Sequence, residues 1–308
     1  MERSRLTSSD PNIEIYDSIA YVYDGTLEGL LSAIFASYVN HEDPVDIVPE
    51  GSLQPRLGQR ICHIATNEEH AMRVQRGLRD KCGNIAYRYV LKASLSSHPD
   101  AGTAAYRFVR HAMDEQRKHK RDCERCRKRE SCESRFTGGN CPKKRGRATS
   151  DITHPDVEPL FKIARSVSQE AEHIRQFARF EHIVTDEVDF WLAKINPRDS
   201  VIPLVMSHFV ERFNIQAFMI YDEIHELIGV YDGNSQFYVK PDSVAKLLGL
   251  RTFTKEEATM QSAWKRFYQV LSVESRYNPE LRRQLMPKRF WKNLTEMQED
   301  SPNGLRYG

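Results

Sequence analysis

Cys123, Cys126, Cys132 and Cys141 stand in a C-x2-C-x5-C-x8-C run inside the most basic stretch of the chain. That stretch has no apolar periodicity with which to build a core of its own, so whatever orders it must come from the cysteines. The first pair has the spacing at which two thiolates chelate one ion from a tight turn. The other two are near enough in sequence for a loop to bring them in as third and fourth ligands. Zinc is the expected ion. A [4Fe–4S] cluster, which also takes four thiolates and tolerates wider spacing, is the alternative. A redox-active Cys123/Cys126 pair and inert thiols stay open as readings. Cys62 and Cys82 fall in predicted elements and read as small buried apolar residues.

Charge isolates the same segment. Residues 117–147 hold thirteen Lys/Arg and four Asp/Glu, a net of +9 in a chain whose total is +2, which leaves −7 for the remainder. Four thiolates and a divalent ion would lower that +9 only to +7. A basic island on a mildly acidic protein is the electrostatic footprint of a polyanion-binding site, although a solvated basic loop has the same composition. Within it Arg121, Arg125, Arg127, Lys128, Arg129, Lys143, Lys144 and Arg145 are the candidate nucleic-acid contacts.

The rest of the chain can build a core, with 40% hydrophobic and 10% aromatic residues in 308. No apolar run approaches the roughly 18 residues of a membrane span. Met1–Pro11 is polar, without the apolar centre of a secretory signal, so a cytoplasmic, reducing location is expected. There, clustered cysteines bind metal or do redox chemistry more often than they form disulfides.

Apolar periodicity predicts a strand over 13–23 that ends at Asp24-Gly25, then a helix capped by Thr26 with Leu27, Leu30, Leu31, Ile34, Phe35 and Tyr38 on one face. A short strand at 60–66 precedes a helix capped by Thr66 or Asn67, with Glu68 and Glu69 in its first turn. Residues 84–116 read as helical, interrupted near Ser96–Pro99, and a long helix runs from Pro159 to about Ala178. Then come a strand at 188–193, a helix at 202–213 and a hairpin formed by 218–221 and 227–231. Helices at about 256–272 and 279–298 carry Trp264 and Trp291. Val-Tyr-Asp-Gly occurs at 22–25 and again at 230–233, read as two strand ends with one turn chemistry. Short connections between the later strands favour an α+β fold with a mainly antiparallel sheet packed with helices, plus the metal-binding basic insertion. The expected layout is a core of 12–116 and 151–298, as one body or two subdomains, an insertion at 117–150, and flexible tails at 1–11 and 299–308.

No dinucleotide-binding, phosphate-loop, serine-hydrolase or zinc-protease motif is present. The histidines are scattered, and the carboxylates Asp24, Glu28, Glu170, Glu181, Asp222 and Asp232 are not paired by sequence alone.

The run Tyr23-Asp24-Gly25-Thr26-Leu27-Glu28-Gly29-Leu30-Leu31 resembles the opening of a domain-of-unknown-function family associated with DNA metabolism and DNA repair. The resemblance continues through Glu170, Phe177, Arg179-Phe180, Pro203, His208-Phe209, Arg212-Phe213, Tyr221-Asp222 and Tyr231-Asp232-Gly233. It closes with Trp264, Phe267, Arg276, Asn278-Pro279, Met286-Pro287-Lys288-Arg289 and Trp291, and so spans most of 15–298. The cysteine segment lies outside it, as an insertion before the long helix. The resemblance implies a partner, a radical-SAM protein of DNA modification and repair, and DNA as the target, with RNA as a further possibility. It implies no reaction and no catalytic residues. Among the matched residues, Arg179 and Arg212 are candidate phosphate contacts, with Arg276 and Arg289 beside them. The matched aromatics Phe180, Phe209, Phe213, Phe267 and Trp291 read better as core than as base-stacking platforms.

The expected function is therefore a nucleic-acid-binding accessory protein in DNA modification or repair. A stand-alone nuclease or base-removing enzyme built on Asp24, Glu28 or Glu170 is the rival. An RNA-binding or tRNA-modification partner is the third reading.

Overall fold

The computed structural model describes residues 18–126, 148–184, 189–244, 255–271 and 278–298. They fall into two compact units. One draws on the described residues of Met1–Ser94 and His98–Ala164, the other on those of Leu95–Ser97 and Arg165–Gly308. The expected tails, Cys132, Cys141, Arg127, Lys128, Arg129, Lys143, Lys144, Arg145 and Arg276 lie outside the described residues.

The first unit is built on three parallel strands. β1 (Ser18–Tyr23) lies between β2 (Asp46–Pro49) and β3 (Gln59–His63). Parallel strands need a crossover, and helix α1 (Leu27–Val39) supplies the one from β1 to β2. Its N-cap is Thr26, whose hydroxyl accepts the Gly29 N–H at 2.9 Å. Helix α2 (Glu68–Cys82) follows β3. Asn67 caps it by accepting the His70 N–H at 3.0 Å, and Gly83, at φ +93°, ends it by giving its N–H to the carbonyls of Leu78 and Arg79. Helices α3 (Asn84–Ser94) and α4 (Ala101–Glu124) complete the layer. Tyr21, Leu30, Leu31, Ile34, Ile47, Leu78, Val90, Phe108 and Leu160 are buried in one core. At the start of α4 a Cβ on Gly102 would press into the Ile47 carbonyl oxygen, so only glycine lets α4 approach β2 this closely.

Helix α5 (Glu158–Phe177) is the expected long helix. Its Leu160 and Ile163 belong to the first core, and Val167, Ala171 and Ile174 to the second.

The second unit holds a five-stranded sheet in sequence order: β4 (Phe180–Val184), β5 (Asp189–Ile195), β6 (Phe218–Asp222), β7 (Leu227–Tyr231) and β8 (Gln236–Val239). β5 and β6 are parallel because helix α6 (Ile202–Phe213) crosses between them, and the other neighbours are antiparallel. Alternation along β5 buries both faces. Ala193 and Ile195 join Phe209, Phe218 and Ile220 on one side, while Phe190 and Leu192 join Ile183 on the other. A Cβ at Gly229 would lie 2.5 Å from the Met206 sulfur, so the glycine lets α6 rest on β7. Helices α7 (Lys255–Leu271) and α8 (Pro279–Leu285) come last, and 3₁₀ turns at Lys288–Asn293 and Thr295–Met297 follow them.

The expectation of a mainly antiparallel sheet is corrected. One sheet is wholly parallel and the other is mixed, so the fold is mixed α/β. The strand–helix–strand order at 188–221 already carried the reason, because a helix between two strands is the connection that parallel pairing requires. The two Val-Tyr-Asp-Gly copies do end strands β1 and β7, each with glycine at positive φ, +82° for Gly25 and +96° for Gly233. In each turn the aspartate accepts a backbone N–H two residues on.

Candidate functional site

The basic segment begins as helix. The buried residues of α4 end at Ala112, and its last turns carry Arg117, Lys118, Lys120 and Arg121. Arg117 pairs with Asp114 at 3.4 Å and Lys118 with Glu115 at 3.0 Å, both one turn back. Arg121 and Arg125 are exposed, and among the described residues no acidic side chain pairs with either. Cys123 and Cys126 are half-buried free thiols where the helix stops. The Cys126 N–H donates to the Cys123 carbonyl at 3.2 Å, which closes a turn between them. That turn suits two ligands of one ion, and a cation is favoured at the C-terminal end of a helix dipole. Cys82 is different. It is buried, and burial pushes its thiol up to about 11, which leaves it an inert packing residue. Cys62 is half-buried and packs against the first core.

The two arginines expected to touch phosphate have different surroundings. Arg179 is a quarter exposed and reaches Glu296 through two nitrogens, at 2.7 and 3.4 Å, and its guanidinium lies 5.6 Å from the Trp264 ring centroid. Burial opposes ionisation of Glu296. Hydrogen bonds from Arg179 and Trp264 outweigh it and hold the carboxyl below the usual range. Arg212 is exposed on α6 and lines an open groove of about 560 Å³ with Glu172, Arg175, His208 and Glu211. Arg175 is already bound to Glu172 and to the Leu204 carbonyl, so the groove is nearly balanced in charge.

Arg289 pairs with Glu170, which is 1% exposed, and Glu170 also accepts the Arg198 N–H at 2.7 Å. Glu170 is thus engaged on both oxygens and is poorly placed to act as a catalytic base. Asp199 accepts from the Ser97 N–H at 3.0 Å and from Arg198. Asp222, wholly buried at the end of β6, accepts the N–H groups of Ile224 and His225 and the His225 Nδ1–H at 2.7 Å. That hydrogen bond raises the His225 pKa against the opposing effect of burial. His225 Nε2 lies 3.4 Å from Ser97 Oγ, which gives its own hydrogen to the Arg198 carbonyl at 2.6 Å. The charged imidazole therefore suits this site, with a proton on each nitrogen. Sequence reading left His225 unassigned. The Asp222-x-x-His225 spacing inside a hairpin turn is the signal that could have found it.

In the first unit Asp24 stands at the carboxyl end of the central parallel strand, where β2 and β3 depart to opposite sides and open α/β sheets hold ligands. Its Oδ1 accepts from the Thr26 N–H at 2.9 Å and the Thr26 hydroxyl at 2.6 Å, and its Oδ2 from the Thr66 hydroxyl at 2.7 Å. Partial burial opposes ionisation, but these bonds hold the carboxyl below its usual value. A Cβ at Gly29 would collide with the Asp24 carboxylate, so glycine is required there. Glu28 sits in the first turn of α1.

Of the aromatics, Phe209 is buried, and Phe180, Phe213 and Trp291 pack against the second core, as expected of core residues. Phe267 does not. Met260, Trp264, Phe267 and Leu271 form an exposed apolar row along α7.

Taken together, this is a two-unit α/β protein with a cationic, thiol-bearing helix end. The family model DUF4130, a domain of unknown function, matches residues 135–296, just over half of the chain, and the chain belongs to that family. The match begins between Cys132 and Cys141, and the parallel sheet of the first unit precedes it. No curated protein matches the chain.

Proposed function

We propose that this protein is a nucleic-acid-binding accessory component of DNA modification or repair. It grips DNA through the end of α4 and the basic residues that follow, around four cysteines that hold zinc or a [4Fe–4S] cluster. The observation that carries this reading is the helix end itself. Exposed Arg121 and Arg125 lack acidic partners among the described residues; Arg121 precedes the first of two thiols on one closed turn, and Arg125 lies between them. Metal held there would order the segment and keep its cations aimed at phosphate. The partner is a radical-SAM enzyme of DNA modification or repair, which supplies the chemistry. The exposed row Met260, Trp264, Phe267 and Leu271 is suited to that contact, because aromatic anchors dominate interfaces.

Neutralising Arg127, Lys128 and Arg129 tests the grip. Every phosphate that the variant no longer neutralises should flatten the log–log salt dependence of DNA affinity by about 0.9. Unchanged affinity and slope would remove the segment from the binding site. The same titration with RNA separates the two nucleic acids. Co-expression with the radical-SAM protein should give a complex at low salt, and failure to co-purify with and without DNA would end the accessory reading.

A stand-alone DNA-processing enzyme is the second reading, favoured by Asp24, which unlike Glu170 is exposed to solvent, at the carboxyl end of a parallel strand. Strand breaks or abasic sites made by the purified protein, and lost in Asp24→Asn, would decide for it.

A further inference from the structure

The cysteines are not the only metal-ligating side chains near the basic segment. His111 lies on α4 before it, and His154 and Asp156 lie after it, in the turns that lead into α5. All three side chains are half-buried. One ligand atom from each lies within 4.8 Å of the other two. The imidazoles of His111 and His154 stack with centroids 3.9 Å apart at 28°. The Asp156 N–H donates to His154 Nδ1 at 3.1 Å, and the Asp156 carboxylate stands 3.8 Å from the same nitrogen. Among the described residues, the other charged groups that act on His111 are Glu115, one turn along α4, and Lys118, which Glu115 holds at 3.0 Å.

We propose that His111, His154 and Asp156 form a second metal site, for a zinc-like divalent transition ion, that fastens the two ends of the cysteine-bearing segment to each other.

The donor set is two imidazoles and one carboxylate, which suits first-row divalent ions and leaves positions for water. Zinc–ligand bonds of about 2.0–2.2 Å put neighbouring donors roughly 3–3.5 Å apart, so the three side chains need to close by at most about 1.3–1.8 Å, with the stacked rings turning so that their in-plane lone pairs converge. The Asp156 N–H occupies the lone pair of His154 Nδ1, so ligation through that nitrogen requires the ion to replace this hydrogen bond. An ion here would clip residue 111 to residue 154 and close the long loop that carries all four cysteines. Closing a long loop is where a metal clip reduces chain entropy most. The inference does not rest on the nucleic-acid reading.

Cobalt(II) separates this site from the thiolates, because sulfur ligation produces intense near-ultraviolet charge transfer and nitrogen/oxygen ligation does not. Metal-free full-length protein titrated with cobalt should show two classes of bound ion, one with and one without charge transfer. The class without it should disappear in His111→Ala and His154→Ala and survive in the Cys123→Ser/Cys126→Ser double variant. Asp156→Asn removes one donor with little change of shape and should weaken that class at least tenfold. Only sulfur-bound cobalt in the wild type would overturn the proposal. So would a nitrogen/oxygen class of unchanged affinity in Asp156→Asn or in both histidine variants.

Discussion

The arginines of the two units have opposite surroundings. At the end of α4, Arg121 and Arg125 are exposed and without acidic partners among the described residues. In the second unit Arg179 and Arg289 each hold a carboxylate that is almost wholly buried, Glu296 and Glu170. A guanidinium already bound by a carboxylate has its hydrogen-bonding fork occupied, and breaking that pair to take a phosphate would strand a buried charge. Sequence position and residue type treat these arginines alike. Burial of the partner distinguishes them, and it makes one set ready for a polyanion and the other part of the fold.

The largest effect should come from breaking the deepest pair. Glu170→Ala leaves Arg289 and the Arg198 N–H without their acceptor. Because Arg289 keeps some access to water, the loss should lie near the lower end of the ~3–5 kcal/mol typical of breaking a buried pair. Chemical denaturation measures it, and a loss under about 1 kcal/mol would mean that Glu170 is not structural.

Arg179→Gln against the double variant Arg121→Gln/Arg125→Gln sharpens the contrast. The first strands Glu296, which is 4% exposed, and should lower stability by about 2–3 kcal/mol. The second should shift stability by no more than ~0.5 kcal/mol, as substitutions on open surface do. Equal shifts in the two proteins would erase the distinction between the two sets.

The smallest effect is a pH dependence in the second unit. Asp222 raises the native pKa of His225 above the unfolded value of about 6.5. The stabilisation is therefore complete below the unfolded pKa and fades as pH rises through the native one. The stability gap between wild type and His225→Gln should be widest near pH 5–6 and narrow at alkaline pH. A gap that widens with pH would contradict the Asp222–His225 pairing.

Local signals were legible in the sequence. Thr26 and Asn67 do cap their helices, helix 202–213 is observed at Ile202–Phe213, and the 218–231 hairpin forms around Asp222. Each depends on residues within a few positions of one another. What the sequence hid is non-local. β2 is four residues long, and nothing near it shows that Asp46–Pro49 will pair with β1 rather than remain a loop. The partners of Arg179 and Arg289 lie 117 and 119 residues away. Ser97 and His225 are 128 residues apart, and only the folded chain brings them together. The cysteine spacing is a local pattern that can be read from the chain, whereas the approach of His111 to His154 and Asp156 is not, since α4 must fold before they meet.

Photo-crosslinking of a DNA duplex to the full-length protein, with the adducts mapped by mass spectrometry, tests the proposed DNA contact most directly. Adducts should concentrate on peptides from residues 117–147, fall sharply in Arg121→Gln/Arg125→Gln, and be nearly absent from peptides carrying Arg179 or Arg289. Adducts confined to the Arg212 groove or the second unit, with residues 117–147 unlabelled, would contradict the assignment of the nucleic-acid interface to the cysteine-bearing end of α4.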